Sequence, residues 1–233
     1  MTNKHINIIH DNKGKWVQTY THNQTRFIEA IDEYKIVFAE GAAGCGKTFL
    51  SIAKAVELLK RPESKFEKLI LTRPVVESGE KLGFLPGTKE EKLEPYLVPL
   101  QDSIDIILKK DDKLREKIKI FPLAYLRGVT FTNSIVILDE SQNTTKSQMK
   151  LFLTRIGKNS KLIINGDVTQ SDIGFNNGLE DILYRIETTN QKISKEIRYI
   201  DFDDNDIVRD PVVKDILELY ENNSDDEFEE DID

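Results

Sequence analysis

A single cysteine, Cys45, leaves no partner for a disulfide within the chain and excludes a metal site built on clustered thiolates. The three histidines, His5, His10 and His22, crowd toward the N-terminus without metal-ligand spacing. Aromatic residues make up 8% of the chain, and none forms a stacking platform beyond what core packing accounts for. No apolar stretch approaches the ~20 residues of a membrane span. The opening "MTNKHINIIHDNKGK" has no apolar core of a signal peptide. These absences point to a cytoplasmic protein with no membrane partner. Linkers rich in Pro, Gly or Ser are missing too, and so are internal repeats.

What is present suits one soluble domain. The chain has 233 residues, 39% hydrophobic and 32% charged, enough for a sizeable core. Net charge is -8, but the terminal "NSDDEFEEDID" (223–233) carries seven acidic and no basic residues, leaving -1 for the rest. That tail is read as disordered and solubilising. The near-neutral body is free to carry a local basic groove. Residues 1–20 form an extension with a hairpin around "DNKG", and 21–222 form a single domain.

Within that domain, short apolar runs end in loops: 35–41, 68–74, 134–140, 161–167 and 196–202. Most are continuous rather than alternating, the signature of parallel strands covered on both faces. A helix over "THNQTRFIEAIDEY" (21–34), with Thr21 and Gln24 spaced as a capping box, precedes them. Helical patterns near 47–60, 89–110, 145–156, 178–187 and 211–221 separate or follow them. Strands alternating with helices predict an α/β fold with a parallel sheet of about five strands.

The segment "GAAGCGKT" (41–48) lies between the first apolar run and a helix, where a phosphate-binding loop belongs. Its match to G-x-x-x-x-G-K-[ST] arises by chance in a chain this long on the order of 1% of the time, so it is read as a nucleotide site. Gly41 and Gly46 permit backbone angles and close approach that a Cβ blocks. The N–H groups of Gly41, Ala42, Ala43, Gly44, Cys45, Gly46, Lys47, Thr48 and Phe49 then line a triphosphate at a helix N-terminus. Lys47 reaches the β- and γ-phosphates, and the Thr48 hydroxyl coordinates Mg²⁺. Cys45 is read as a small side chain at a tolerant loop position.

A magnesium nucleotide also needs a nearby carboxylate and a group that orients the attacking water. "SIVILDESQ" (134–142) offers both at the end of the third run. Asp139 takes the Mg²⁺ side and Glu140 the water. Adjacent strand residues face opposite ways, so both can serve only where the strand is ending. Their alternative is to cap the following helix together with Asn143 and Thr144. "GDVTQ" (166–170) ends the fourth run, and Gln170 or Asp167 there is placed to sense a γ-phosphate.

Six segments in this order, "NQTRFIEAI", "GAAGCGKTFLSIAKA", "LTRPVVESGEKLGFLPGTKEEKLEPYLVPLQDSI", "ILDESQNTTKSQMKLFLTRIG", "GDVTQSD" and "DIVRDPVV", resemble the PhoH-like family over roughly 21–221. The resemblance implies a RecA-like domain similar to the ATP-binding domain of superfamily-1 helicases, with sheet order 5-1-4-3-2. It further implies ATP binding and hydrolysis with RNA or single-stranded DNA as partner. Lys47 and Thr48 match the first motif, Asp139, Glu140 and Gln142 the second, and Gln170 the third. Gln24 aligns with an adenine-reading residue, which competes with its capping role. Arg209 matches a family arginine suited to charge on a γ-phosphate. Ala42, Cys45, Ser141 and Asp210 depart from the family's usual Pro, Thr, Ala and His.

One RecA-like core lacks the second domain that completes a superfamily-1 site. A homo-oligomer, with a hexameric ring favoured, would let one subunit's arginine reach the next subunit's nucleotide. Arg73 in "LTRP", Arg127 in "YLRGVTF" and Arg209 are the candidates, and Arg73 or Arg127 is alternatively read as a phosphate contact for nucleic acid. Three functions compete: a nucleic-acid-coupled ATPase, a nucleotide-gated module with negligible turnover, and a phosphotransferase. The third lacks an obvious arginine-rich lid.

Overall fold

In the computed structural model the described residues are 5–75, 89–189, 195–208 and 212. The expected helix over 211–221, the tail 223–233 and Arg209 lie outside them. The first two strands, β1 (Asn7–His10) and β2 (Trp16–Gln18), pair antiparallel around the "DNKG" turn. There Gly14 takes a left-handed φ of 81° and Asp11 Oδ1 accepts the N–H groups of Lys13 and Lys15.

The main sheet has six parallel strands: β3 (Ile36–Glu40), β4 (Lys68–Arg73), β5 (Ile118–Pro122), β6 (Ser134–Leu138), β7 (Lys161–Gly166) and β8 (Ile197–Asp201). Their spatial order is β5-β4-β6-β7-β3-β8. The five foreseen strands keep the order 5-1-4-3-2, and β5 is an addition beyond β4. It escapes sequence reading because "IKIFP" is a short apolar run broken by a lysine and ending in proline. Such a segment suits an edge, where only one side needs ladder bonds.

The strands' period of two sorts their side chains into two cores. Val37, Ala39, Leu69, Leu71, Ile135, Ile137 and Ile163 face α1 (His22–Glu33), α2 (Lys47–Lys60) and α3 (Lys89–Ile107). Phe38, Ile70, Val136, Leu138, Leu162 and Ile164 face α4 (Lys146–Leu153) and α5 (Gly178–Thr188). Burial on both faces is why these runs read as continuous apolar sequence. The strand ends that carry the three motifs, those of β3, β6 and β7, open on the same side of the parallel sheet, where α/β folds gather their ligand sites. Among the described residues, no helix is long and apolar enough to cross a membrane.

Candidate nucleotide site

The glycine loop joins β3 to α2, and its shape is built from both sides. Gly41 has φ 143°, and a Cβ there would lie 2.7 Å from the Phe202 Cβ and carbonyl oxygen that follow β8. Gly41 N–H donates to Gly166 O at the end of β7, 3.2 Å away. Gly44 and Gly46 take φ values of 97° and 80°, which other residues adopt only with strain. Gly46 is the N-cap of α2, so the first free amides of that helix face the loop's interior. Lys47, nearly buried, donates its ammonium to Gly41 O at 2.5 Å and Ala42 O at 2.8 Å.

The acidic strand closes the site from the neighbouring position. Thr48 Oγ1 donates to Asp139 Oδ1 at 2.6 Å, joining the glycine loop to β6. Burial pushes the Asp139 carboxyl above its ordinary 3.8, against the nearby Arg73 guanidinium and with the help of the Glu140 charge. Glu140 has left the strand, at φ 52°. That turn is how two consecutive carboxylates come to share one cleft instead of opposite faces of the sheet. The helix-cap alternative does not describe them: Glu140 stands at the N-cap of a short 3-10 turn (Ser141–Asn143) with no side-chain cap bond, and Thr145 caps α4.

Beyond them, Gln142 bridges the second and third motifs. Its Nε2 donates to Glu140 Oε2 at 2.6 Å and to Gln170 O at 3.3 Å, and its Oε1 accepts Asp167 N–H at 3.1 Å. A cleft of about 360 Å³ is lined by Lys47, Thr48, Asp139, Glu140, Asp167 and Gln170 among others, with Ala43, Gly44, Gly46 and Phe49 on the loop side. The first six of these come from three separate motifs of the sequence, which the fold brings to one place.

Gln24 stands behind the loop, buried at the start of α1. Its Nε2 donates to Cys45 O at 3.0 Å and its Oε1 accepts Tyr20 N–H at 2.8 Å. Thr21 caps Gln24 N–H, so half of the expected capping box forms; the glutamine's own side chain takes Tyr20 rather than Thr21. Cys45 is fully buried, in keeping with a packed small side chain. Arg73 enters the site from its own chain: its guanidinium donates to Glu140 Oε1 at 2.6 Å, lies 3.6 Å from Asp139 Oδ2, and donates to Tyr96 O at 3.1 Å. Motif reading does not foresee this pairing, because β4 and β6 are far apart in sequence. Arg127 is exposed after the 3-10 turn Leu123–Leu126 and lines no part of the cleft. Val208, one residue before Arg209, donates its N–H to Gly44 O at 3.2 Å.

One exposed aromatic also escapes sequence reading. Phe175, 97% exposed, lies on the loop that leaves Gln170. Composition gives it no special status, since only tertiary placement separates it from core phenylalanines.

Comparison with known proteins agrees with this geometry. The family described as PhoH-like protein matches residues 16–221. A PhoH-like protein of Bacillus subtilis is 46% identical over 218 residues, covering 90% of this chain and 65% of that protein. Protein PhoH of Escherichia coli is 42% identical over 205 residues, 84% of this chain and 56% of the relative. The chain thus spans about six-tenths of the length of these relatives. Among solved structures, the large terminase of a thermophilic bacteriophage superposes with a TM-score of 0.52 at 13% identity, over 86% of this chain and 50% of the other, a likeness of fold. The sheet order, the glycine loop and the acidic strand end are those of a RecA-like P-loop NTPase, and the chain belongs to the PhoH-like family.

Proposed function

We propose that this protein is an ATPase, dependent on Mg²⁺ and coupled to RNA or single-stranded DNA. The observation that carries it is the Thr48–Asp139 bond at 2.6 Å, which brings the glycine loop and the acidic strand together over one cleft with Glu140 and Gln170. The residues fit a magnesium nucleotide: Asp167 Oδ2, in the cleft wall, is buried without a partner among the described residues, and the cleft sets the Lys47 ammonium beside the Thr48 hydroxyl and the Asp139 carboxylate. Thr48 and Asp139 would hold the metal, which would supply charge neutralisation on the phosphates. Lys47 exchanges its loop carbonyls for the β- and γ-phosphates. Glu140 orients the attacking water and takes its proton, and Gln170 reads the γ-phosphate through the Gln142 bridge. Gln24 supports the loop from behind and is assigned to the adenine side.

Arg209 is assigned to the transferring phosphoryl group, in a homo-oligomer for which a hexameric ring is favoured. The bond of its neighbour Val208 to the glycine loop supports this assignment. The exposed Phe175 beside the Gln170 segment supports a single-stranded partner, since base stacking on an aromatic side chain is tolerant of sequence. A second reading, a nucleotide-gated module of low turnover, draws support from the engagement of Glu140 by Arg73.

Phosphate release from ATP, measured with and without single-stranded RNA, tests the assignment. Glu140→Gln is expected to lower release by about 10²–10⁴-fold while leaving nucleotide binding intact. No release under any condition, with ATP still bound, overturns the ATPase reading.

A further inference from the structure

The Arg73–Glu140 pair stands between two cavities. One is the cleft of the glycine loop. The other, about 490 Å³, is lined by Arg73, Tyr96, Asn143, Gln170, Ser171 and Asp172 among others. Arg73, Glu140 and Gln170 belong to both walls. The second cavity falls within the roughly 300–1,000 Å³ of ligand sites. Its lining brings together an arginine, an aromatic ring, amides, hydroxyls and the carboxylates of Glu140 and Asp172. Asp172 is already engaged: its carboxylate accepts from Asn143 Nδ2 at 2.8 Å, and its N–H donates to Asn143 Oδ1 at 2.8 Å.

Arg73 is held there without being used up. Its contacts to Glu140, Tyr96 O and Asp139 leave part of a five-donor fork available. Guanidinium groups bind phosphate in forked pairs and carboxylates in the same way, so the two ligands compete for one face. While Arg73 holds Glu140 Oε1 at 2.6 Å and Gln142 Nε2 holds Oε2 at 2.6 Å, each carboxylate oxygen has a protein donor where an attacking water would bind.

Resting on the ATPase reading above, we propose that Arg73 is a latch on Glu140, released by a backbone phosphate of single-stranded nucleic acid entering the second cavity. The strand's phosphate draws the guanidinium away, its base meets Tyr96, and the side-chain amide of Gln170 faces the base edge. Glu140, still positioned by Gln142, is then free to orient water. Arg73 is thus a positioning residue, acting through Glu140, and it makes turnover conditional on a bound strand.

The test is steady-state phosphate release with and without an oligouridylate, for the wild type, Arg73→Gln, Arg73→Lys, Glu140→Gln and the Arg73→Gln/Glu140→Gln double variant. Arg73→Gln is expected to raise strand-free kcat about tenfold with KM for ATP unchanged, the loss of one charge-assisted bond to the base. Stimulation by the strand should fall toward unity, and Arg73→Lys should keep part of it even if the glutamine variant folds poorly. In the double variant the gain should vanish, because the latch acts only through Glu140. A fall in strand-free kcat for Arg73→Gln, or an unchanged stimulation ratio, overturns the latch. Equal stimulation of the wild type by poly-glutamate also overturns it, since the site would then answer to any polyanion. A wild type that releases no phosphate under any condition overturns the ATPase reading instead. The latch is then judged by fluorescence anisotropy with labelled oligouridylate and ATP: Arg73→Gln should bind about tenfold more weakly, and equal binding rejects the strand site.

Discussion

At the residue scale, the site holds a tension between stability and chemistry at Asp139. Its carboxyl is buried, and burial raises its folded-state pKa above the ordinary 3.8. A carboxylate shifted that way contributes stability that is full below the unfolded value and is lost as pH rises through the folded one. At neutral pH the ionised group therefore costs stability in the nucleotide-free protein. Asp139→Asn should melt higher than the wild type at pH 7, with the difference shrinking as pH falls toward 3.8. Under the ATPase proposal ATP and Mg²⁺ should raise the melting temperature of the wild type, and the same variant should lose that rise. Equal melting temperatures at pH 7, read by calorimetry, would reject this account. Glu140 illustrates the other half of residue-scale reading. The role proposed for it is suggested by its place after an apolar strand, whereas its partner Arg73 is not, because contacts between strands far apart in sequence leave no local pattern.

At the element scale, the glycine loop and its helix are the most legible parts. A glycine at the N-cap with φ 80° and a run free of Gly and Pro set α2 at Lys47–Lys60, the span that periodicity predicts. What the motif does not reveal is why Gly41 must be glycine. Its Cβ would strike both the side chain and the carbonyl of Phe202, on a segment at the far end of the domain's sequence. Gly41→Ala is expected to destabilise the fold by about 1–3 kcal/mol, from overpacking and a strained φ. Urea unfolding with an unchanged m-value would register this. Nucleotide affinity should fall as well, since relief of the clash displaces the loop. The edge strand β5 shows the opposite case: a segment half in water keeps too little apolar periodicity to announce itself.

At the scale of the whole molecule, the site is built almost entirely from one edge of one sheet. The groups assigned to phosphate, metal and water, Arg209 aside, come from loops at the carboxyl ends of β3, β6 and β7. Two-domain motors close such a site with a second domain, and a ring closes it with a neighbour. Mass measurement in solution, with ATP and Mg²⁺ present, is expected to give a species near six times the 26.8 kDa chain. A monomer under every condition would contradict the ring and leave Arg209 to act within its own subunit.

The sequence by itself determined the α/β class, five of the six strands of the main sheet and the identity of the groups proposed to meet phosphate and metal. These follow from local causes: apolar runs covered on two faces, glycines where backbone must turn, and carboxylates at a strand end. Tertiary structure alone decided the sixth strand, the bridge that Gln142 makes from Glu140 to the Gln170 segment, and the grip of Arg73 on the would-be base. Those depend on which strands lie side by side. Adjacency in a parallel sheet is set by packing both faces at once, a condition no single stretch of chain can state.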